Sequence, residues 1–529
     1  MNEHEWWKDS VIYQIYPRSF SDSNGDGIGD LQGIISRLDH LVDLGIDAIW
    51  ISPFYPTPDK DFGYDISDHT DVDPRFGSLE VFNDLVKQAH TRGIKIILDL
   101  VLNHTSDQHP WFVESRSSLN NPKRDWYIWR KKQNNWLAVF GGSGWQFDPR
   151  TEEYFYHMFL KEQPDLNWHN PEVREAQLDV VRFWLDRGVD GFRLDVFNVY
   201  FKDISFRDNP KKIGLRGFDR QKHVFDTDQP ELLPFLQELR DLINSYQNRY
   251  TVGETFIATA DLAANYVGEN ALHAAFSFDF NSSELFFPWK PSWLLKKVAF
   301  REKIFHGNRW PTNVMSNHDT PRAASRYSHT EDDANSRLAM ALLLTLRGTP
   351  FMYYGEEIGM RDLELKRKEI MDPPGKIYWP LYKGRDGCRG PMQWNDSQYA
   401  GFSSSQPWLP VHPNFSFRNV EAQKKDPNSL FNFTKQLIQI RKENTALRSG
   451  SYTQLDTGSN EIMAFIRKIP DQTILVALNF SSDKATVQIA KDLTGLQWRS
   501  LISPDHPVAL NRGYLDLSPH EVSILLSIN

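Results

Sequence analysis

Three carboxylates in this 529-residue sequence stand where short apolar runs end: Asp195 in GFRLDVF (191–197), Glu254 in YTVGETF (250–256) and Asp319 in NVMSNHD (313–319). Their separations are 254 − 195 = 59 and 319 − 254 = 65 residues, so each belongs to a different structural unit. Two carboxyl groups about 5–5.5 Å apart can cleave a glycosidic bond with retention, one attacking the anomeric carbon and the other protonating the leaving oxygen. Arg193 lies two residues before Asp195 and so on the same strand face. Its charge is expected to keep Asp195 ionised. Glu254 has no adjacent cation in sequence, which leaves its pKa free to rise for acid work. His318 directly precedes Asp319.

Positioning such a set requires a scaffold of repeated units. Eight apolar runs, at 11–17, 48–54, 95–102, 191–197, 250–256, 274–280, 313–319 and 348–354, alternate with amphipathic stretches such as 79–92 and 172–187, each ending near a glycine (Gly93, Gly188). The runs are continuous rather than alternating, the pattern of parallel strands buried on both faces. Eight such units predict an α/β fold, a (β/α)8 TIM barrel with its chemistry at the C-terminal strand ends. An open doubly wound sheet is the competitor, but no glycine-rich phosphate loop follows the first run. Two stretches interrupt the alternation. Residues 103–168, rich in Trp, Asn, Pro and Gly, read as a small domain inserted after strand three, and 361–410 as an insertion after strand eight. The barrel then comprises 1–102 and 169–449, closed by a helix at 427–444. Short alternating runs over 450–529 predict an antiparallel β-sandwich.

The segments DLVLNH (99–104), GFRLDVFN (191–198), GETF (253–256) and MSNHD (315–319) resemble, in order, the four signature regions of the α-amylase family, glycoside hydrolase family 13. QPDLN (163–167), the N-terminal YQIYPRSFSDSNGDGIGDLQGI and PMQW (391–394) are similar to its oligo-1,6-glucosidase branch. The resemblance covers almost the whole chain. It implies a retaining mechanism with Asp195 as nucleophile, Glu254 as acid/base and Asp319 gripping sugar hydroxyls. It further implies that Tyr64 stacks under the terminal glucose, that Asp61 and Arg389 hold its far hydroxyls, and that His104, Arg193 and His318 complete the pocket. The family usually has Thr after this Arg, where this chain has Gly390, so Arg385 in GRD competes for the Arg389 role. A pocket closed at the far end of glucose implies exo action on short α-glucosides.

Val196, after the nucleophile, accompanies α-1,6 specificity in the resembled branch, and a small change beside the leaving sugar is worth about 1–3 kcal/mol of discrimination. Trehalose-6-phosphate hydrolases carry Val there too. In that alternative Lys202 and the pair Lys211–Lys212 would serve the phosphate. A sucrose isomerase or transglucosylase, passing the same glucosyl intermediate to a sugar, is the other alternative.

Asp22, Asn24, Asp26 and Asp30 place oxygen donors at positions 1, 3, 5 and 9 of an EF-hand-like loop, with the Ile28 carbonyl as a fifth. Position 12 is Gly33 rather than the usual bidentate Glu. Asx-rich turns look alike, but the loop of the resembled branch binds calcium or magnesium, so a structural Ca2+ is expected. Hydrolysis by two carboxylates needs no organic cofactor.

The net charge of −9 argues against a nucleic-acid partner. There is no run of 18 apolar residues for a membrane span, which also disfavours a non-enzymatic relative such as a transporter heavy chain. The single cysteine, Cys388, allows no internal disulfide, and the start MNEHEWWKDS lacks a secretory pattern, so a cytoplasmic protein is expected. The expected partner is a small oligosaccharide, and monomer and homo-oligomer remain equally open.

Overall fold

The computed structural model describes residues 5–528 apart from 258, 277, 279, 281–288, 329, 490–492, 494–495, 504–506 and 509–512. Its central sheet begins with β1 (Ile12–Ile15), β2 (Ala48–Ile51) and β3 (Lys95–Leu100). The chain then forms a small antiparallel sheet of β4 (Trp129–Arg130), β5 (Trp145–Asp148) and β6 (Glu153–Tyr156). It returns to the central sheet for β7 (Gly191–Leu194), β8 (Tyr250–Gly253), β9 (Ala274–Ala275), β10 (Thr312–Val314) and β11 (Thr349–Tyr353). The strand order is β10-β11-β1-β2-β3-β7-β8-β9, with every neighbouring pair parallel. Thr312 Oγ1 donates to the Ala275 carbonyl at 3.2 Å, joining the two end strands, so the sheet is a nearly closed TIM barrel.

Local sequence explains the elements around it. Ser78 caps the helix Leu79–Thr91 by accepting from Val81 N, and Asn170 caps Pro171–Leu185 by accepting from Glu172 N. Gly188, at φ +89°, follows the end of the second helix and turns the chain toward β7.

Each strand is shorter than its apolar run, and two fall furthest short. The run at 274–280 pairs only over Ala274–Ala275, and Ser277 and Asp279 lie outside the described residues. The run at 313–319 leaves the ladder after Val314 and curls: Asn317 Oδ1 accepts from Asp319 N at 2.9 Å, an Asx turn that competes with strand pairing. The closing helix begins at Leu430 rather than 427, because Ser429 caps it by accepting from Asn432 N.

The C-terminal strands β12 (Ser451–Gln454), β13 (Ile462–Ile469), β14 (Gln472–Asn479), β15 (Ala485–Gln488), β16 (Gln497–Ser500), β17 (Pro507–Val508), β18 (Tyr514–Leu517) and β19 (Val522–Ile528) form antiparallel sheets, ordered β12-β13-β14-β19-β16-β17 and β15-β18. Between them lies an apolar core that includes Leu475, Val487, Trp498 and Leu525.

Candidate active site

Residue registers carry the carboxylates to the barrel mouth. Asp99 on β3 pairs with Arg193 on β7, and Leu194 pairs with Gly253 on β8. Asp195 N then donates to Leu100 O at 2.9 Å and Glu254 N to Leu194 O at 2.8 Å, so each extends the ladder one residue past its strand. Gly253 must be glycine here: a Cβ would sit 2.3 Å from the Phe197 ring and 2.4 Å from Leu272.

One guanidinium serves three carboxyl groups. Arg193 Nη1 donates to Asp99 at 2.6 Å and to Asp195 at 2.7 Å, while Nη2 contacts Glu254. Burial pushes all three carboxyls up and Arg193 pulls them back only in part: Asp99 to about 6, Asp195 to about 7 and Glu254 to about 8. The negative charge of Asp195 close by raises Glu254 further. The raised Glu254 agrees with the sequence expectation though its surroundings do not, and the expectation for Asp195 is corrected. Glu254 does have a cation, which reaches it from the neighbouring strand, and Arg193 alone does not hold Asp195 at an ordinary carboxylate pKa, because desolvation outweighs it.

A second cluster lies across the pocket and has the opposite balance. Asp319 Oδ1 accepts from Arg389 Nη2 at 2.9 Å and from Arg385 Nη1 at 3.3 Å. Arg385 Nη2 also donates to Asp61 at 2.6 Å and to Asp372 at 2.7 Å. Burial pushes Asp319 up, but His318, Arg385 and Arg389 outweigh it and hold the carboxyl well below the usual range. Arg389 was expected beside Asp61. Its Nε instead donates to the His318 carbonyl at 2.7 Å, and the cation on Asp61 is Arg385. Arg389 Nη1, buried, has no protein partner.

Tyr64 and His318 form the pocket floor, their rings parallel within 2° and 5.4 Å apart. The Gln14 amide donates to His318 Nδ1 at 2.7 Å, which leaves Nε2–H to face the Tyr64 hydroxyl at 2.6 Å; that hydroxyl donates to Asp99 at 3.1 Å. Burial lowers His318 to about 3, so the ring is neutral and this relay keeps one direction. His104, also lowered by burial, lies 3.0 Å through Nε2 from the Tyr64 carbonyl. Gln163 donates to Asp61 at 3.2 Å and so ties the inserted segment to the pocket.

Val196 is buried in the left-handed region at φ 36°, ψ 38°, a strained conformation for a β-branched residue. It packs in an apolar cluster with Ile128, Trp136 and Val199. Lys202 does not face substrate: it is buried and paired with Asp165 at 2.7 Å, and Lys211 and Lys212 are exposed on an outer loop. A phosphate role for Lys202 is therefore set aside.

Sequence reasoning passed over Asp99, Gln14, Gln163 and Asp372. A signal for Asp99 existed, since an aspartate inside KIILDLVL must face the barrel interior. Gln14 lies on β1, and Gln163 and Asp372 come from irregular segments distant in sequence.

In the N-terminal loop, Asp22 accepts from Gly25 N at 2.7 Å and Gly27 N at 2.8 Å, Asn24 from Asp26 N at 2.9 Å, and Asp26 from Ile28 N at 2.8 Å. Asp30 caps the helix Leu31–Ser36 and accepts from Ser23. Among the described residues no three His, Cys, Asp or Glu side chains form a metal cage.

Comparison with known proteins follows the same outline. Residues 14–450 match the alpha amylase catalytic-domain family and residues 452–524 the maltogenic amylase C-terminal domain. The chain is 43% identical over 532 residues to a probable alpha-glucosidase of Rhizobium meliloti, covering 96% of each. It is 41% identical to an oligo-1,6-glucosidase of Parageobacillus thermoglucosidasius, over 90% of this chain and 91% of that one. Among solved structures, the alpha-glucosyl transfer enzyme XgtA superposes with a TM-score of 0.93 at 42% identity, covering 99% of this chain and 100% of its own. The trehalulose synthase MutB from Pseudomonas mesoacidophila gives 0.89 at 34% identity, covering 99% of each.

Proposed function

The chain belongs to the α-amylase family and is a glycoside hydrolase, and from that premise we propose that it is a retaining, exo-acting α-glucosidase that removes glucose from the non-reducing end of short α-glucosides. The observation that carries the reading is the single Arg193 guanidinium holding Asp195 and Glu254 together at adjacent strand ends. Asp195 attacks the anomeric carbon as its carboxylate. Glu254, whose pKa burial raises most, protonates the leaving oxygen and then accepts a proton from the incoming water. Asp319 stays ionised and accepts from sugar hydroxyls, its carboxylate held in place by Arg389 and Arg385. Tyr64 stacks under the glucose ring. Asp61, gripped by Arg385, and His104 close the far end, so only a terminal glucose fits.

An α-1,6 preference rests on Val196 beside the leaving sugar, and relatives named oligo-1,6-glucosidase support it. A second reading keeps the covalent intermediate and passes glucose to a sugar instead of water; the likeness to a glucosyl transfer enzyme and a trehalulose synthase favours retaining it. Product analysis with isomaltose, maltose, sucrose, trehalose and trehalose 6-phosphate separates them. Isomaltose cleaved fastest to glucose is expected. Faster glucose release from maltose sinks the linkage, and rearranged disaccharides from sucrose replace hydrolysis with isomerisation.

The loop Asp22, Asn24, Asp26, Ile28 and Asp30 is proposed to hold a structural Ca2+ or Mg2+. Its donors are all oxygen, as hard cations require, and it lies on the segment 402–407, with Ser403 Oγ donating to Asp22 at 2.6 Å. Its ion would tie that segment to the barrel and take no part in bond cleavage. A chelator is expected to lower Tm by a few degrees with recovery on added Ca2+; an unchanged melt removes the ion. A cytoplasmic location is our reading from the single cysteine, tested by cell fractionation. Among the described residues no helix is long and apolar enough to cross a membrane.

A further inference from the structure

The loop that carries Asp61 and Tyr64 is bent against its own preferences. Residues 61–64 make a tight turn, closed by Tyr64 N donating to the Asp61 carbonyl at 3.1 Å. Both central residues are left-handed, Phe62 at φ +52° and Gly63 at φ +105°. That is the type I′ pattern, which Gly, Asn and Asp dominate. Gly63 suits its place, where a Cβ would stand 3.0 Å from the Pro53 carbonyl. Phe62 is strained in its place. Its ring is nevertheless engaged on the outer side of the turn, 5.3 Å from the Arg18 guanidinium, 5.6 Å from that of Arg389 and 5.6 Å from the Trp408 ring. Something else must therefore hold the bend.

Asp65 does so from behind. Its Oδ2 accepts from Lys60 N at 2.8 Å and its Oδ1 from Asp61 N at 2.9 Å. The side chain thus ties the residue after the turn to the two that enter it. Asp65 is 0% exposed and cannot touch a sugar. Burying a carboxylate is costly unless hydrogen bonds compensate. Burial pushes Asp65 up to about 6; the two N–H donors pull it back in part, and the charge of Asp61 raises it again. The far end of the turn is fastened separately, by Gln163 donating to the Tyr64 carbonyl at 3.2 Å and by His104 Nε2 at 3.0 Å from it. The direction of Asp61 therefore depends on the Asp65 carboxylate.

We propose that Asp65 is a positioning residue of the glucose site, setting how tightly the terminal glucose is held by fixing the turn that carries Asp61 and Tyr64; the proposal rests on the α-glucosidase reading. Asp65→Asn tests it, because Asn keeps the shape but turns an amide N–H against one of the two main-chain N–H groups. In this variant the KM for isomaltose and the Ki for glucose are expected to rise together by about tenfold, the loss of one charge-assisted hydrogen bond. kcat should stay within about threefold, since Arg193 and not this turn holds Asp195 and Glu254. In an Asp61→Ala background the same substitution should add about threefold or less, because its effect runs largely through Asp61. Deuterium exchange of the wild type is a reading that needs no variant to fold: the Lys60 and Asp61 amides should exchange more slowly than those of the exposed loop 211–217. KM and Ki left within about twofold, a loss confined to kcat, full additivity with Asp61→Ala, or fast exchange of those two amides overturns the positioning role, while wild-type hydrolysis of isomaltose keeps the α-glucosidase reading. No isomaltose hydrolysis by the wild type overturns both.

Discussion

The two charged clusters that face each other across the sugar pocket have the same kinds of residues in opposite proportion. Around Arg193, one guanidinium is divided among Asp99, Asp195 and Glu254. Around Asp319, two guanidiniums, Arg385 and Arg389, meet Asp61, Asp319 and Asp372. Burial wins in the first cluster, whereas the cations win for Asp319 in the second, whose side chain is also the more open, 31% accessible against 8% for Asp195 and 13% for Glu254. Charge stoichiometry and depth act together in deciding which carboxyl can carry a proton at neutral pH. The first cluster is suited to proton transfer and the second to holding a fixed negative charge against sugar hydroxyls.

The sharpest way to break this comparison is to remove one member from each side. Asp195→Asn is expected to lower kcat by a factor on the order of 10⁵, as loss of a nucleophile does. It should also raise Tm at pH 8. The sign follows from the raised pKa: folded Asp195 holds its proton more tightly than unfolded Asp195, so its stabilising contribution is present at low pH and is lost as pH rises through about 7. Neutral Asn removes that loss. Surviving activity would discard Asp195 as nucleophile, and a lower Tm would discard the surplus of carboxylates around Arg193.

Arg385→Met should do the reverse. It leaves Asp61 and Asp372 without the guanidinium and is expected to cost about 3–5 kcal/mol of stability, the usual penalty for orphaning a buried charge. kcat/KM should fall by roughly 10²–10³, equivalent to about 3–4 kcal/mol of lost transition-state binding. Calorimetry and initial rates read both, and wild-type values would mean that the second cluster needs no cation surplus.

A gentler test is the pH dependence of kcat/KM. Below about pH 7 Asp195 takes up a proton and stops attacking, and above about pH 8 Glu254 loses the proton it must donate. A narrow bell is expected, falling about tenfold per pH unit on either side. A flat acid limb down to pH 5 would place Asp195 with the strongly ionised carboxyls and erase the contrast. Because the two groups are coupled, the limbs belong to the pair.

How much of this could be read beforehand follows the same division. Asp195, Glu254 and Asp319 were legible because each ends a strand, and a barrel presents strand ends at one face. The cation surplus was not. Arg385 and Arg389 lie in a long irregular segment only four residues apart, and both reach Asp319. No periodicity separates them; the choice of Arg385 for Asp61 is made by the Asp372 carboxylate, which accepts from Arg385 N at 2.8 Å and from Nε at 3.1 Å. Asp99 was hidden for the opposite reason, since a continuous apolar run draws attention away from the one charged residue in it. The short β10 reflects chain leaving the ladder to bring His318 and Asp319 to the mouth, which an apolar run does not record.

The Asp372–Arg385 contact gives the segment between them an unusual independence. Its two ends are fastened to each other by the same guanidinium that steadies the glucose pocket, while its middle meets the inserted segment through the Tyr378 hydroxyl on the Phe140 carbonyl and exposes Leu381 and Tyr382. Such a segment behaves as a cassette with a standard fitting. Gly375 and Gly384, packed against each other and Gly384 against Asp372, belong to that fitting, so change is confined to the residues between them, 376–383, where it leaves the grip on the retained sugar in place.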